Sequence, residues 1–164
     1  MIKMLEDLST DGWSGARRTL GGTLSLLSHA IVEEMHRRLD AAGYPEIRPG
    51  SGAVFEHVGA EGSTAAAMAA RAGITPQAMV QVVDYLEARG YVERVPDPRD
   101  RRAKLVRLTE RGRAADRVSR EILAGMEREL AGVVGDSDFG RLRGTLDELL
   151  AGVRSWRGAA RPRG

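Results

Sequence analysis

The run Val83-Asp84-Tyr85-Leu86-Glu87-Ala88-Arg89-Gly90-Tyr91-Val92-Glu93-Arg94, resuming at Asp97-Pro98-Arg99-Asp100-Arg101-Arg102-Ala103-Lys104-Leu105-Val106-Arg107-Leu108-Thr109-Glu110-Arg111-Gly112, changes its period at a glycine. Before Gly90, the residues Met79, Val82, Val83 and Leu86 recur at helical spacing, and Gly90 ends that helix. After it, residues 91–95 and 104–108 are short and rich in apolar and β-branched side chains. They flank the turn-rich loop Pro96-Asp97-Pro98-Arg99-Asp100-Arg101-Arg102-Ala103, so the pattern predicts a β-hairpin. Thr109 stands where it caps the helix that follows.

Upstream, Thr75 serves as an N-cap and Pro76 takes the first helical position, where its missing N–H costs nothing. Gly73 closes a compact helix over residues 65–72, which Ser63 and Thr64 introduce. Two helices joined by a short glycine-containing turn make a helix-turn-helix. Farther out, a short helix is expected over about residues 50–58, with Val54, Phe55 and Val58 inward, and Gly59 and Gly62 bracket a turn. A longer helix over residues 23–42 carries Leu24, Leu27, Ile31, Met35 and Leu39, and Gly43-Tyr44-Pro45 stops it. Downstream, Val118, Ile122, Met126 and Leu130 mark one long helix, and Gly135-Asp136-Ser137 breaks it. Phe139, Leu142, Leu146, Leu149 and Val153 mark a last one. Residues 1–20 are open: Trp13 and Leu20 anchor a short extra helix, or the segment is mobile.

The expected fold is mainly α with a small β-hairpin wing (α+β), a winged helix-turn-helix with a helical dimerisation region. The terminal helices are too long and too apolar for the small central elements to bury, so they are expected to pack on each other and on a second subunit.

Composition narrows the function. A chain of 164 residues fits one domain, and its 42% apolar content with only 4% aromatics calls for a core of Leu, Val, Ala and Met. No apolar run reaches bilayer length, so no membrane association is expected. The acids in Met1-Ile2-Lys3-Met4-Leu5-Glu6-Asp7 argue against a signal peptide, and a cytoplasmic location is expected. Cysteine is absent, which removes disulfides and thiol chemistry. There is no serine elbow, phosphate-binding loop, dinucleotide glycine fingerprint or HExxH, so neither an enzyme nor a cofactor is expected. The net charge of +2 says little, but its distribution says more. Between residues 89 and 113, nine bases (Arg89, Arg94, Arg99, Arg101, Arg102, Lys104, Arg107, Arg111, Arg113) face four acids (Glu93, Asp97, Asp100, Glu110), a polyanion footprint. Arg154, Arg157, Arg161 and Arg163 close the chain in what reads as a frayed tail.

The quoted signature, with the order of helices around it, resembles the MarR family of winged-helix regulators over residues 21–155. The division expected is an N-terminal extension at 1–20, a winged-helix domain at 21–155 and a basic C-terminal tail at 156–164. Within the domain, the dimerisation helices lie at about 21–43 and 110–155, and the DNA-binding lobe at about 46–109. The resemblance implies a homodimer on a pseudo-palindromic duplex site, most simply as a ligand-responsive repressor, with a small, often aromatic and anionic, effector between the lobes. One departure is that family members often have Thr-Arg where this chain has Val80-Gln81, and residues 75–88 hold no Lys or Arg.

By that resemblance Arg102 enters the minor groove, where a narrow groove concentrates negative potential, and Asp100 pairs with it. Arg99, Arg101 and Lys104 are candidate phosphate contacts. Gln77 and Gln81 share a helix face, and glutamine pairs bidentately with adenine, which suggests an A·T-containing half-site. Ser63, Thr64, Thr75 and Pro76 stand at helix N-termini, where free N–H groups favour phosphate; plain capping is the alternative for Ser63, Thr64 and Thr75, and for Thr75 it is the expected primary role. His29, His36 and His57 are candidates for binding an organic anion. His29, Glu33, His36 and Asp40 also share one helical face, so a zinc-sensing regulator is an alternative, although a solvated polar face explains the same spacing and no metal ligand is assigned. A winged helix used only for protein–protein contact is the other alternative.

Overall fold

The computed structural model describes residues 19–99 and 103–159. Its elements run α1 (Leu20–Ala41), α2 (Gly52–His57), α3 (Ala65–Ala72), α4 (Pro76–Glu87), β1 (Val92–Pro96), β2 (Lys104–Leu108), α5 (Glu110–Val134) and α6 (Asp136–Ala159). This is the helix-rich chain with one antiparallel hairpin that the sequence pattern predicts. No helix among the described residues is long and apolar enough to cross a membrane.

Local chemistry sets the boundaries. The side-chain oxygens of Thr64, Thr75 and Thr109 accept from the N–H groups of Ala67, Ala78 and Gly112, at 3.2, 3.2 and 3.1 Å. Each satisfies one of the otherwise unpaired donors of a first turn. Gly73 closes α3 in the left-handed region, with φ of 68°. At both ends of the chain the helices exceed expectation. Thr19 caps α1 from outside the predicted start, accepting from Gly22 N–H at 3.2 Å, so the helix begins one turn early. The last helix runs to Ala159, into the stretch expected to be tail, because no proline interrupts it before Pro162.

The hairpin pairs Val92 with Leu108 and Pro96 with Lys104. A third segment joins it, which the sequence pattern did not reveal. Ser63 and Val106 exchange both backbone hydrogen bonds, at 3.1 and 2.9 Å, which ties the chain just before α3 to the hairpin.

The core collects one face from each small element: Val54, Phe55, Val58, Met68, Met79, Val83, Leu86, Tyr91, Val92 and Val106, joined by Leu39 from α1 and Ala115 from α5. The amino-terminal half of α1 and most of α6 lie outside it. Leu20, Leu24, Leu27, Leu142, Leu149 and Val153 are all exposed, Leu20 to 59%.

Candidate nucleic-acid interface

Helix α4 turns Met79, Val83 and Leu86 into the core and leaves Gln77, Val80, Gln81 and Asp84 outward. The helix holds two acids and no base, and Arg94 on β1 answers both acids. Its Nη2 donates to Asp84 Oδ1 at 2.5 Å, its Nη1 pairs with Glu87 Oε2, and its backbone N–H donates to Glu87 Oε1 at 3.1 Å. The base of the hairpin is thereby pinned to the outward edge of α4, and the charge of Asp84 is occupied.

Five of the nine bases counted between residues 89 and 113 are spent on the fold in this way. Arg89 donates to Tyr85 O, Arg94 to Asp84 and Glu87, Arg107 to Glu61 O, Arg111 to Arg89 O and Glu46, and Arg113 to Leu108 O and Glu110. The remaining four are Arg99, Arg101, Arg102 and Lys104, all at the hairpin tip. Arg99 and Lys104 are exposed, and no carboxylate among the described residues forms an ion pair with either. Asp100, Arg101 and Arg102 lie outside the described residues, as does the expected Asp100–Arg102 pair.

The other candidates are placed as follows. Gln77 and Gln81 share the exposed face of α4. Thr75, with Pro76 behind it, and Thr64 act as caps, each with its hydroxyl hydrogen still available. Ser63 Oγ accepts from Arg71 Nη2 at 2.7 Å, and the same Arg71 nitrogen donates to His57 O at 2.5 Å, so Arg71 joins the end of α2 to the start of α3.

A cleft of about 410 Å³ opens between α1, the segment after it, α2 and α5. Ile31, Val32, Met35, Leu39, Ile47, Phe55 and Leu123 make it mainly apolar, and His36, Glu56, Asp116 and Arg120 supply polar groups. Arg120 Nε donates to Asp116 at 2.9 Å. Of the three histidines expected to meet a ligand, only His36 lines this cleft. His29 sits on the exposed early turns of α1, bonded to Ser25 O at 2.7 Å, and His57 ends α2 away from the lining. His29 lies two helical turns before His36 on the long α1, which carries it beyond the lining. Among the described residues, no three His, Asp or Glu side chains gather to hold a metal, so the His29, Glu33, His36 and Asp40 face offers no assembled zinc site.

The segment that sequence reasoning missed is a junction centred on Glu46. Its carbonyl accepts from Tyr85 Oη at 2.8 Å, and its carboxylate accepts from Tyr91 Oη at 2.9 Å and from Arg111 at 3.2 Å. Arg89 stacks on the Tyr85 ring at 3.6 Å and Arg111 on the Tyr91 ring at 4.4 Å. The end of α4, the start of β1 and the first turn of α5 are thus tied to the loop after α1. Tyr85, Arg89, Tyr91 and Arg111 were legible only as spacing; Glu46 carried no signal.

The MarR family model matches residues 51–103, which span α2 to the hairpin loop. Comparison with curated proteins gave no match. Among solved structures, a MarR-family transcriptional regulator from Rhodococcus sp. RHA1 is 27% identical, with a TM-score of 0.65 over 81% of this chain and 97% of its own. CouR from Rhodococcus jostii RHA1, bound to p-coumaroyl-CoA, is 30% identical, with a TM-score of 0.65 over 79% of this chain and 90% of its own. The transcriptional repressor CouR bound to a 23-mer DNA duplex, at 24% identity and a TM-score of 0.66 over 83% and 92%, adds likeness of fold. The winged lobe and its helical frame place this chain in the MarR family of transcriptional regulators.

Proposed function

We propose that this chain is a cytoplasmic, homodimeric, ligand-responsive repressor that binds a pseudo-palindromic duplex operator, and not an enzyme. Helix α4 lies in the major groove, and the hairpin tip carries Arg102 into the minor groove beside it. One observation carries the reading: once the fold has used its share of arginines, the bases of this region that remain among the described residues, without a carboxylate partner there, are Arg99 and Lys104, both on the hairpin. Phosphate neutralisation needs such charge, and base reading needs a separate face, which α4 supplies with its amides.

The second subunit is inferred from the exposed leucines of α1 and α6, a demand for burial that the lobe does not meet. The effector is assigned to the cleft lined by His36 and Arg120, and its apolar wall with charged rim suits an aromatic anion. A relative solved with p-coumaroyl-CoA makes that compound the first probe.

The test selects duplexes from a randomised pool with the full chain, measures affinity against salt, and then adds p-coumaroyl-CoA. Repressor action predicts a steep fall in affinity with salt, one dimer per selected site, and release by a ligand of this class. Duplex binding that is absent or indifferent to salt overturns the reading in favour of a protein-contact module.

A further inference from the structure

We propose that Val80 is a base-reading residue that packs its methyl groups on the C5-methyl of a thymine, beside the adenine read by Gln81. This rests on the duplex-binding reading above and specifies what the helix reads.

Val80 is 40% exposed on the outward face of α4, one helical turn from Gln77 and Asp84 and adjacent to Gln81. Fold stability gives no reason for a valine there. A β-branched residue is a poorer helix former than Ala, Gln or Lys, and an exposed one buries little surface. The rest of that face limits what can be read. With no Lys or Arg on α4, the bidentate cation contact to guanine is missing. Asp84 is the one carboxylate beside Val80, and Arg94 already engages its Oδ1 at 2.5 Å, which draws its charge toward the hairpin and away from cytosine N4. What remains is amide, methyl, amide: Gln77, Val80, Gln81. In the major groove an A·T pair alone offers the counterpart, an N6/N7 donor–acceptor pair on adenine and a methyl on thymine. Valine in a helix has essentially one rotamer, so its methyl groups are presented with little entropy left to lose on contact.

The experiment replaces, one at a time, each thymine in a selected duplex by deoxyuridine, which deletes the methyl group and keeps the pairing. The wild-type chain is expected to lose about fourfold in affinity at one position per half-site, the worth of one buried methyl. Val80→Ala is expected to bind the thymine duplex more weakly by a similar factor and to be indifferent to deoxyuridine at that position. Because Val80 is outside the core, Val80→Ala folds, and Val80→Thr, which keeps one methyl, is expected to retain part of the sensitivity. Undiminished wild-type binding to every deoxyuridine duplex overturns the assignment of Val80 and leaves the regulator reading standing. An unchanged deoxyuridine penalty in Val80→Ala does the same. Loss of all duplex binding by the wild-type chain overturns both.

Discussion

Tyr91 donates its hydroxyl hydrogen to Oε2 of Glu46 across 2.9 Å, while the Tyr91 backbone carbonyl accepts from Thr109 N–H at 3.1 Å. One residue thus joins the loop after α1 to the cap of α5, with its side chain fully buried. Removal from water and the bond to Glu46 push the phenol up to about 12, so it remains a donor at any working pH. Tyr91→Phe keeps the ring in the core and deletes the bond, leaving the Glu46 carboxylate with Arg111. We expect a loss of about 1 kcal/mol, seen as a drop of about 3 °C in Tm. Tyr91→Ala removes the ring as well and is expected to cost about 4 kcal/mol. A Phe variant as stable as the wild type shows that the Tyr91 hydroxyl adds nothing to a junction held by Tyr85, Arg111 and ring packing.

Gly112 stands in the first turn of α5, where a Cβ would lie 2.0 Å from Tyr91 O. The clash is with backbone, so no side-chain rotation relieves it. Gly112→Ala must push α5 away from the end of α4 and break the bonds of Thr109 to Tyr91 O and Gly90 O. The expected cost is about 3 kcal/mol by thermal melting. Gly132→Ala, in the same helix with nothing within 4 Å of the built Cβ, is the control and is expected to hold or gain about 1 kcal/mol. Equal stability of the two variants would mean that α5 sits farther from Tyr91.

These two residues also show what a sequence makes legible. The helix-turn-helix was readable because its punctuation is local: Thr64, Gly73, Thr75 and Pro76 each act within a few residues of themselves. The hairpin was readable from alternation and turn residues for the same reason. The Ser63–Val106 bridge and the Glu46 junction were not, because both join segments about forty or more residues apart. For the candidate site, the charge count over residues 89–113 overstated the supply of unpaired bases, since five of the nine are bonded within the fold. Only coordinates reveal that Arg94 serves Asp84 and Glu87, or that Arg111 serves Glu46. Helical spacing put His29 and His36 on one face, and of the two only His36 is low enough on α1 to line the cleft, a height that spacing does not encode.

Acid should loosen the joint between α1 and α5. Arg38 holds the Glu129 carboxylate with two bonds, at 2.8 and 2.6 Å, and Glu34 Oε1 with a third at 2.6 Å, so one guanidinium joins α1 to α5. Hydrogen bonds from Arg37 and then Arg38 lower Glu34 from 4.5 to about 2, and the bond from Arg38 lowers Glu129. Because these folded-state values are depressed, their contribution is complete above about pH 4.5 and is lost as pH falls toward 2. In Glu34→Gln the Tm should already be lower at pH 6, and it should fall less between pH 5 and 2.5 than in the wild type. Parallel curves for the two proteins would show that Glu34 adds nothing to the frame.

Wing and helix can be separated by salt. If Lys104 neutralises one phosphate, Lys104→Ala should weaken every duplex alike and reduce the slope of log affinity against log salt by about 1. Arg102→Ala should likewise weaken binding across sequences, with the greatest loss on sites whose minor groove is narrow. Gln81→Ala should leave the salt slope unchanged and flatten the preference at one base pair of each half-site, because an amide reads an edge and releases no counterion. The contrast follows from how the fold spends charge: Arg94 pairs with both acids of α4, whose outward face offers amides and a valine but no base, while Arg99 and Lys104 stand exposed on the hairpin. Measured slopes that shift with Gln81→Ala and stay fixed with Lys104→Ala would reverse the two roles.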